Sequence, residues 1–570
     1  MPLKPRDEQT ALRKLSPFER KDSLIHLAKD TVQQATAQML GAGRGNPNWI
    51  ATDAREAFFL LGKFALGECR RVRDDKILAG MPARHGIGQR FALFLDMNEQ
   101  EPGSKFLRGA LDYGVKKKKF ERDAWIHELT DAIIGDMYPV PDRMLVMVEQ
   151  VVLDYLLKEM CDNRPPEGSW DLFAVEGGTA AMCYIFDSLM QNGLLRKGDT
   201  IALFVPTFTP YIEICHLERF SFRIVNIEAD ERRSSDGGHT WHYTDKQLAR
   251  LANRMIKLVA VVNPSNPPSI ALSPEEMQKI VGIVKKKNPD LMVVTDDVYG
   301  TFVPGFRSLM AELPQNTITV YSFSKTFGCT GWRLGAVGIH QDNIYDKAIA
   351  KLPEAFKKKL DRRYGPLTLE PRKIRFIDRM VADSRCVALN HAAGLSLPQQ
   401  VQMCFFALTH LLDETDAYKH LTMDICRKRR DLLWKGLGVP QPPHDPMRAW
   451  YYVELDFRVW AKATYGDAFV KYMVDRYEPV DFLFRLAEQS GLVLMDGGGC
   501  GGPPWSIRLS LANLNEEDYA QIGNHMRKAA QQYVERWKER RGTYKSHSIG
   551  RTDRNRIQRR LRNPAPGSES

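Results

Sequence analysis

Nine cysteines are scattered through 570 residues, an odd number with no C-x-x-C spacing anywhere. That pattern speaks against a disulfide framework or a zinc site, and it predicts reduced thiols and no bound metal. Long hydrophobic runs are missing as well. Residues 258–262 are typical of the apolar stretches and fall far short of the roughly 20 residues that a membrane helix needs. The first residues mix Lys4 and Arg6 with Asp7 and Glu8 and do not read as a secretory signal, so a cytoplasmic protein is expected. No internal repeat is present. Little charge is left for the body of the chain: of the formal +11, nine basic residues between positions 540 and 562, set against Asp553, supply +8. A nearly neutral remainder argues against a nucleic-acid-binding core. The basic stretch, which ends rich in Pro, Gly and Ser, is predicted to be a disordered tail.

What is present is a chain with 43% apolar residues, enough to bury at least one large core. Short β-rich runs at 201–205, 222–227, 258–262, 291–295, 318–322 and 334–339 alternate with helical stretches. Their near-continuous hydrophobicity predicts strands buried on both faces, in an α/β fold with a doubly wound, mostly parallel sheet. Ser273-Pro274-Glu275-Glu276 opens one of the helices with a cap, a proline at the first helical position and a capping-box glutamate. Further β-rich runs at 450–457, 492–495 and 505–511 predict a second, smaller α/β domain.

Ligands of open α/β sheets bind at the carboxyl ends of the strands, and four polar groups fall there: Asn266, Asp296, Tyr299 and Lys325. An Asp or Asn after a strand is more often a turn or a helix cap, but four such groups with a lysine among them are hard to assign to turns. Lys325 is followed eight residues on by Arg333. A lysine amine can condense with an aldehyde, and an arginine fork suits a phosphate. Together they point to pyridoxal 5′-phosphate (PLP) held on Lys325 as a Schiff base. Asp296 would face the pyridine nitrogen, and Asn266 and Tyr299 would donate to the ring's phenolic oxygen. Gly177-Gly178-Thr179 leads into an apolar helix whose start would bind the phosphate, helped by Ser322 and Arg333. Phe208 would cover the ring, although alone it reads as core.

These segments, in this order, resemble the fold type I PLP enzymes, the aspartate aminotransferase superfamily, over roughly residues 40 to 535. The resemblance implies a seven-stranded large-domain sheet and a dimer with sites at its interface, with dimers assembled to a dodecamer as a larger form. Departures from the common pattern are Asn266-Pro267-Pro268-Ser269, the run Gly43-Arg44-Gly45-Asn46-Pro47-Asn48-Trp49, residues 390–400 and residues 505–514. They resemble the group of bifunctional aspartate aminotransferases and aspartate 4-decarboxylases. That resemblance implies L-aspartate and 2-oxo acids as substrates, and β-decarboxylation to L-alanine with transamination as a second activity. It implies that Arg508 holds the substrate α-carboxylate, that Arg44 and Lys21 face the side chain, and that Tyr138 reaches the cofactor phosphate of a neighbouring subunit. The expected divisions are an N-terminal segment (1–60) on the small domain and site entrance, a helical insertion (61–150), and a PLP-binding large domain (151–400). The large domain carries its own helical insertion near 341–390, and the small domain (401–540) and the tail (541–570) follow. Two other readings stand beside this one: a plain aminotransferase for dicarboxylic amino acids, and a non-catalytic PLP-binding regulator that uses the tail on DNA.

Overall fold

In the computed structural model, residues 6–13, 15–35, 39–74, 80–229, 239–389 and 394–562 are described. The large sheet contains β1 (Trp170–Val175), β2 (Thr200–Val205), β3 (Arg223–Glu228), β4 (Ile256–Val262), β5 (Met292–Asp296), β6 (Thr317–Ser322) and β7 (Gly335–His340). Their order is β1-β7-β6-β5-β4-β2-β3. All neighbours are parallel except β7, which runs antiparallel to both β1 and β6.

The apolar runs behave as their composition requires. Along β4, Leu258, Ala260 and Val262 enter one buried cluster while Val259 and Val261 enter the cluster on the opposite face, which is the period-2 alternation of a strand covered on both sides. Register then sets the site. Val262 lies opposite Asp296, and Asp296 lies opposite Val320, so β4, β5 and β6 end together on one edge. The strand Trp170–Val175 was not among the expected runs, because Asp171 interrupts its apolar pattern. In the fold, the Gln341 amide and the Arg375 guanidinium both pair with that carboxylate.

Helices Thr52–Asp74, Arg122–Ile134 and Val146–Met160 form a separate layer. Leu397–Leu412, apolar on nearly every side, packs into that layer rather than onto the small sheet. The small sheet comprises β8 (Tyr452–Asp456), β9 (Met495–Asp496) and β10 (Ser506–Ser510), all antiparallel, in the order β8-β10-β9. Segment 40–48 is sewn to this small domain: Leu40 N donates to Gly491 O at 3.0 Å, Gly43 N to Val493 O at 3.0 Å, and Ser510 N to Ala42 O at 2.8 Å. The helix Glu516–Arg562 runs on into the basic stretch. Arg, Lys and Gln favour helix, so their charge does not by itself break one. Residues 563–570 lie outside the described residues, as do 390–393 of the run 390–400. Among the described residues, no helix is long and apolar enough to cross a membrane.

Ser273 and Glu276 form the expected capping box, and Glu276 also meets His242 Nδ1 at 3.0 Å while Asp445 Oδ2 lies 3.3 Å from His242 Nε2. Burial opposes charge on this imidazole, but its bonds to Asp445 and Glu276 outweigh that and raise its pKa to about 9. A raised pKa means stabilisation that is complete below the free histidine range, near pH 6.5, and lost as pH rises through about 9. The melting-temperature deficit of His242→Gln against the parent protein should therefore be largest near pH 6 and fade by about pH 10. A deficit that grows with pH would contradict the assignment.

Candidate active site

Lys325 follows β6, and its loop is pinned from the N-terminal side. The Trp49 indole donates to Lys325 O at 3.2 Å and Thr326 O at 3.0 Å, and Arg55 donates to Phe327 O at 3.2 Å and Gly328 O at 2.8 Å. Gly328 has φ +58°, and a Cβ there would run into Trp49 O, so the loop requires glycine. The amine of Lys325 donates to Gly45 O at 3.0 Å, and Tyr451 Oη donates to the same carbonyl at 2.8 Å.

Asp296, 6% exposed, ends β5. It accepts from Tyr211 Oη at 3.2 Å and from Val298 N at 3.4 Å. Burial raises its pKa to about 6, with these two donors and the Lys325 charge opposing. A carboxylate buried with a hydroxyl and an amide as its donors is suited to a cationic N–H partner. Its neighbour Asp297 is turned into the sheet, where Ser308, Thr295 and Thr319 hydroxyls donate to it.

A second set of contacts joins the large domain to the small one. Arg508 on β10 donates through Nη1 to Asn266 Oδ1 at 3.3 Å and through Nη2 to Gly43 O at 3.0 Å, and its buried Nε has no hydrogen-bond partner among the described residues. Asn266 Nδ2 reaches Tyr299 Oη at 3.5 Å. The structure thus gathers Lys325, Asn266, Tyr299 and Arg508 around the carbonyls of Gly43 and Gly45, with Arg44 exposed between those glycines.

The phosphate end is built from the helix Gly178–Gln191. Gly177 caps it at φ +88°, and a Cβ on Gly177 would stand 2.6 Å from Arg333 Nη2. Arg333, itself at φ +55°, donates to Glu176 O at 3.4 Å and Thr330 O at 2.9 Å. Ser322 is buried behind it, with its Oγ 3.1 Å from Ser324 Oγ. Phe208 is partly buried at the start of Thr209–His216, and Thr179 is exposed in the first turn of its helix. Two expected residues stand apart. Tyr138, 62% exposed, lines a separate cavity with His127, Glu128 and Asp131. Lys21 pairs with Asp22 at 3.6 Å, next to Arg20, whose partner is Asp496 on β9.

Tyr211, Tyr452 and the glycine carbonyls were not anticipated. Tyr211 sits three residues beyond Phe208, one turn into a helix that starts at the site, and that spacing was the available signal. Tyr452 is buried in β8, next to Tyr451, and carries no sequence signal of its own.

A lysine, a buried carboxylate, a helix start and two arginines at one edge of an open, mostly parallel sheet define a site for an amino-acid-transforming enzyme that carries an aldehyde cofactor with a phosphate. The chain belongs to the class I and II aminotransferase family, whose sequence model matches residues 173–525. It is 46% identical over 530 residues to a Pseudomonas protein described as a bifunctional aspartate aminotransferase and L-aspartate beta-decarboxylase, covering 93% of this chain and 98% of that one. The fold is shared with the Thermus thermophilus aspartate aminotransferase solved with maleate: TM-score 0.52, 15% identity, 89% of this chain and 96% of that one. It is shared equally with the aromatic aminotransferase of Pyrococcus horikoshii, at TM-score 0.54, 16% identity, 89% and 99%. PLP is the cofactor of this family. The residues present fit it: Asp296 suits the ring nitrogen, Lys325 the aldehyde, and the Gly177–Arg333 cradle with Ser322 the phosphate.

Proposed function

We propose that this enzyme converts L-aspartate to L-alanine and carbon dioxide, and in a second activity passes the amino group of aspartate to a 2-oxo acid such as 2-oxoglutarate. The observation that carries this reading is the junction of Lys325 and Arg508 on neighbouring glycine carbonyls, in a chain matched over nearly its whole length by the bifunctional relative. We assign the activity to the cytoplasm and to at least a dimer, in which exposed Tyr138 reaches the partner's cofactor phosphate.

Arg508 offers a planar guanidinium to the substrate α-carboxylate, a two-pronged contact that a lysine cannot make. Asn266 fixes one edge of that guanidinium, while the bond to Gly43 O is the one a carboxylate would replace. PLP, whose ring nitrogen Asp296 would hold, would supply the sink for electrons released at the substrate's α- and β-carbons. The amine of Lys325, freed when substrate takes its place, removes the proton from Cα and can return one to it. When the β-carboxylate leaves as carbon dioxide, its bonding pair stays on Cβ, and one proton there completes the methyl group of alanine. When water attacks Cα instead, oxaloacetate leaves and the amino group remains for a 2-oxo acid. Arg44, at the entrance between Gly43 and Gly45, and Lys21 are the cations we assign to the β-carboxylate. A tight ion pair would retain that carboxylate, whereas a dry, loosely paired one would favour its loss.

The test is to incubate purified protein with PLP and L-aspartate and to follow alanine, oxaloacetate and carbon dioxide together. Alanine and carbon dioxide in equal amounts are expected. Oxaloacetate without carbon dioxide would identify a plain aminotransferase, and absence of all three products would remove the reading.

A further inference from the structure

Tyr452, buried in β8, sits against three of the groups assigned above. Its Oη accepts a hydrogen from Tyr299 Oη at 3.2 Å. Its ring lies under Arg508, whose guanidinium carbon is 4.5 Å from the ring centroid. A Cβ built on Gly45 would strike the Tyr452 hydroxyl, and the same point is 3.3 Å from Lys325 Nζ, so phenol and amine flank one glycine. The titratable groups that face this phenol are Lys325, Arg508, Tyr299, Tyr451 and Cys500. Burial, the largest influence, opposes its ionisation, but Lys325, Arg508 and the bond from Tyr299 together bring Tyr452 below the ordinary tyrosine range. Tyr451 beside it is pushed the other way, with burial as the main cause, and its hydroxyl is spent on Gly45 O.

The hydrogen count gives the pair a direction. Tyr299 has a single O–H hydrogen, and in this structure it goes to Tyr452. If Tyr299 serves PLP, that hydrogen must turn to the phenolic oxygen of the cofactor, and the Tyr299 oxygen is then free to accept from Tyr452. We propose that Tyr452 is a positioning residue that reverses its bond with Tyr299, donating into it so that the Tyr299 hydroxyl is aimed at the phenolic oxygen of PLP. This rests on the functional reading above. The second donor strengthens the first by polarisation, and a better-stabilised phenolic anion makes the linkage between Lys325 and the cofactor release its proton at lower pH.

The experiment is a pH titration of the visible absorbance of PLP-loaded protein, without substrate. Tyr452→Phe should move the midpoint up by about half to one pH unit, the size expected for one hydrogen bond. Tyr299→Phe should move it further, and the double variant should titrate like Tyr299→Phe alone, because Tyr452 acts through Tyr299. Tyr451→Phe should leave the midpoint in place. 3-Fluorotyrosine at position 452 keeps the shape but is a stronger donor, so it should lower the midpoint, and it serves if Tyr452→Phe fails to fold. A parental midpoint in Tyr452→Phe or in the fluorotyrosine protein, or additive shifts in the double variant, overturns the proposal. The functional reading fails separately, and takes the proposal with it, if the parent protein acquires no visible band from PLP.

Discussion

Lys325→Ala protein is expected to lose alanine and oxaloacetate formation together, by at least about 10⁴-fold, because on the proposed reading one amine both carries the cofactor and moves the Cα proton. The loss should be chemical and not structural. The Lys325 amine donates to Gly45 O, and that carbonyl keeps Tyr451 as a donor, while the loop itself is held by Trp49 and Arg55 through backbone oxygens. The melting temperature of the variant should therefore stay close to that of the parent. The visible band of bound PLP should disappear on dialysis, since nothing covalent retains it. Alanine released from aspartate at the parental rate would end the assignment of Lys325.

The second large effect is expected at Asp296. Asparagine has nearly the same shape but no charge, so it cannot keep a ring nitrogen protonated, and both activities should fall by about 1000-fold. The protein without cofactor should respond in the opposite sense. The folded pKa of Asp296 is raised to about 6, above the unfolded carboxylate value, so its contribution to stability is intact in acid and is lost as pH rises through about 6. At pH 8, then, cofactor-free Asp296→Asn should melt higher than cofactor-free parent, while PLP should stabilise the variant less than it stabilises the parent. Scanning calorimetry of both proteins with and without PLP checks the pair of signs. A variant that melts lower without PLP, yet gains as much from it as the parent does, would show that Asp296 is a structural carboxylate.

Sequence reading reached the residues that lie at strand ends. Asp296 and Lys325 follow runs that are largely apolar and free of charge, and a doubly wound sheet has one edge where such ends collect, so order along the chain becomes proximity in space. Asn266 and Tyr299 come with them because each is within one turn of a strand end. Tyr452 was out of reach for the converse reason. It sits inside a run that reads as ordinary core, and its role exists only because β8 folds back over the carboxyl edge of a sheet that ended more than a hundred residues earlier. Gly43 and Gly45 contribute carbonyls, which every residue has, so no side-chain pattern marks them. β1 was lost to Asp171, whose partners Gln341 and Arg375 follow the last strand of the sheet in the chain, some 170 and 204 residues on.

The two glycine carbonyls have a consequence for how the chain registers its own cargo. Gly45 O loses the Lys325 amine when that amine is committed elsewhere, and Gly43 O loses Arg508 when a carboxylate takes the guanidinium. On the proposed reading the first accompanies attachment of the cofactor and the second the arrival of substrate; on this three-residue stretch Gly43 O then gives up its Arg508 bond, whereas Gly45 O keeps the Tyr451 hydroxyl. The backbone around that stretch is tied to Gly491, Val493 and Ser510. On that reading, occupancy at the sheet edge would bear on the small domain through main-chain oxygens that a change of side chain would leave in place.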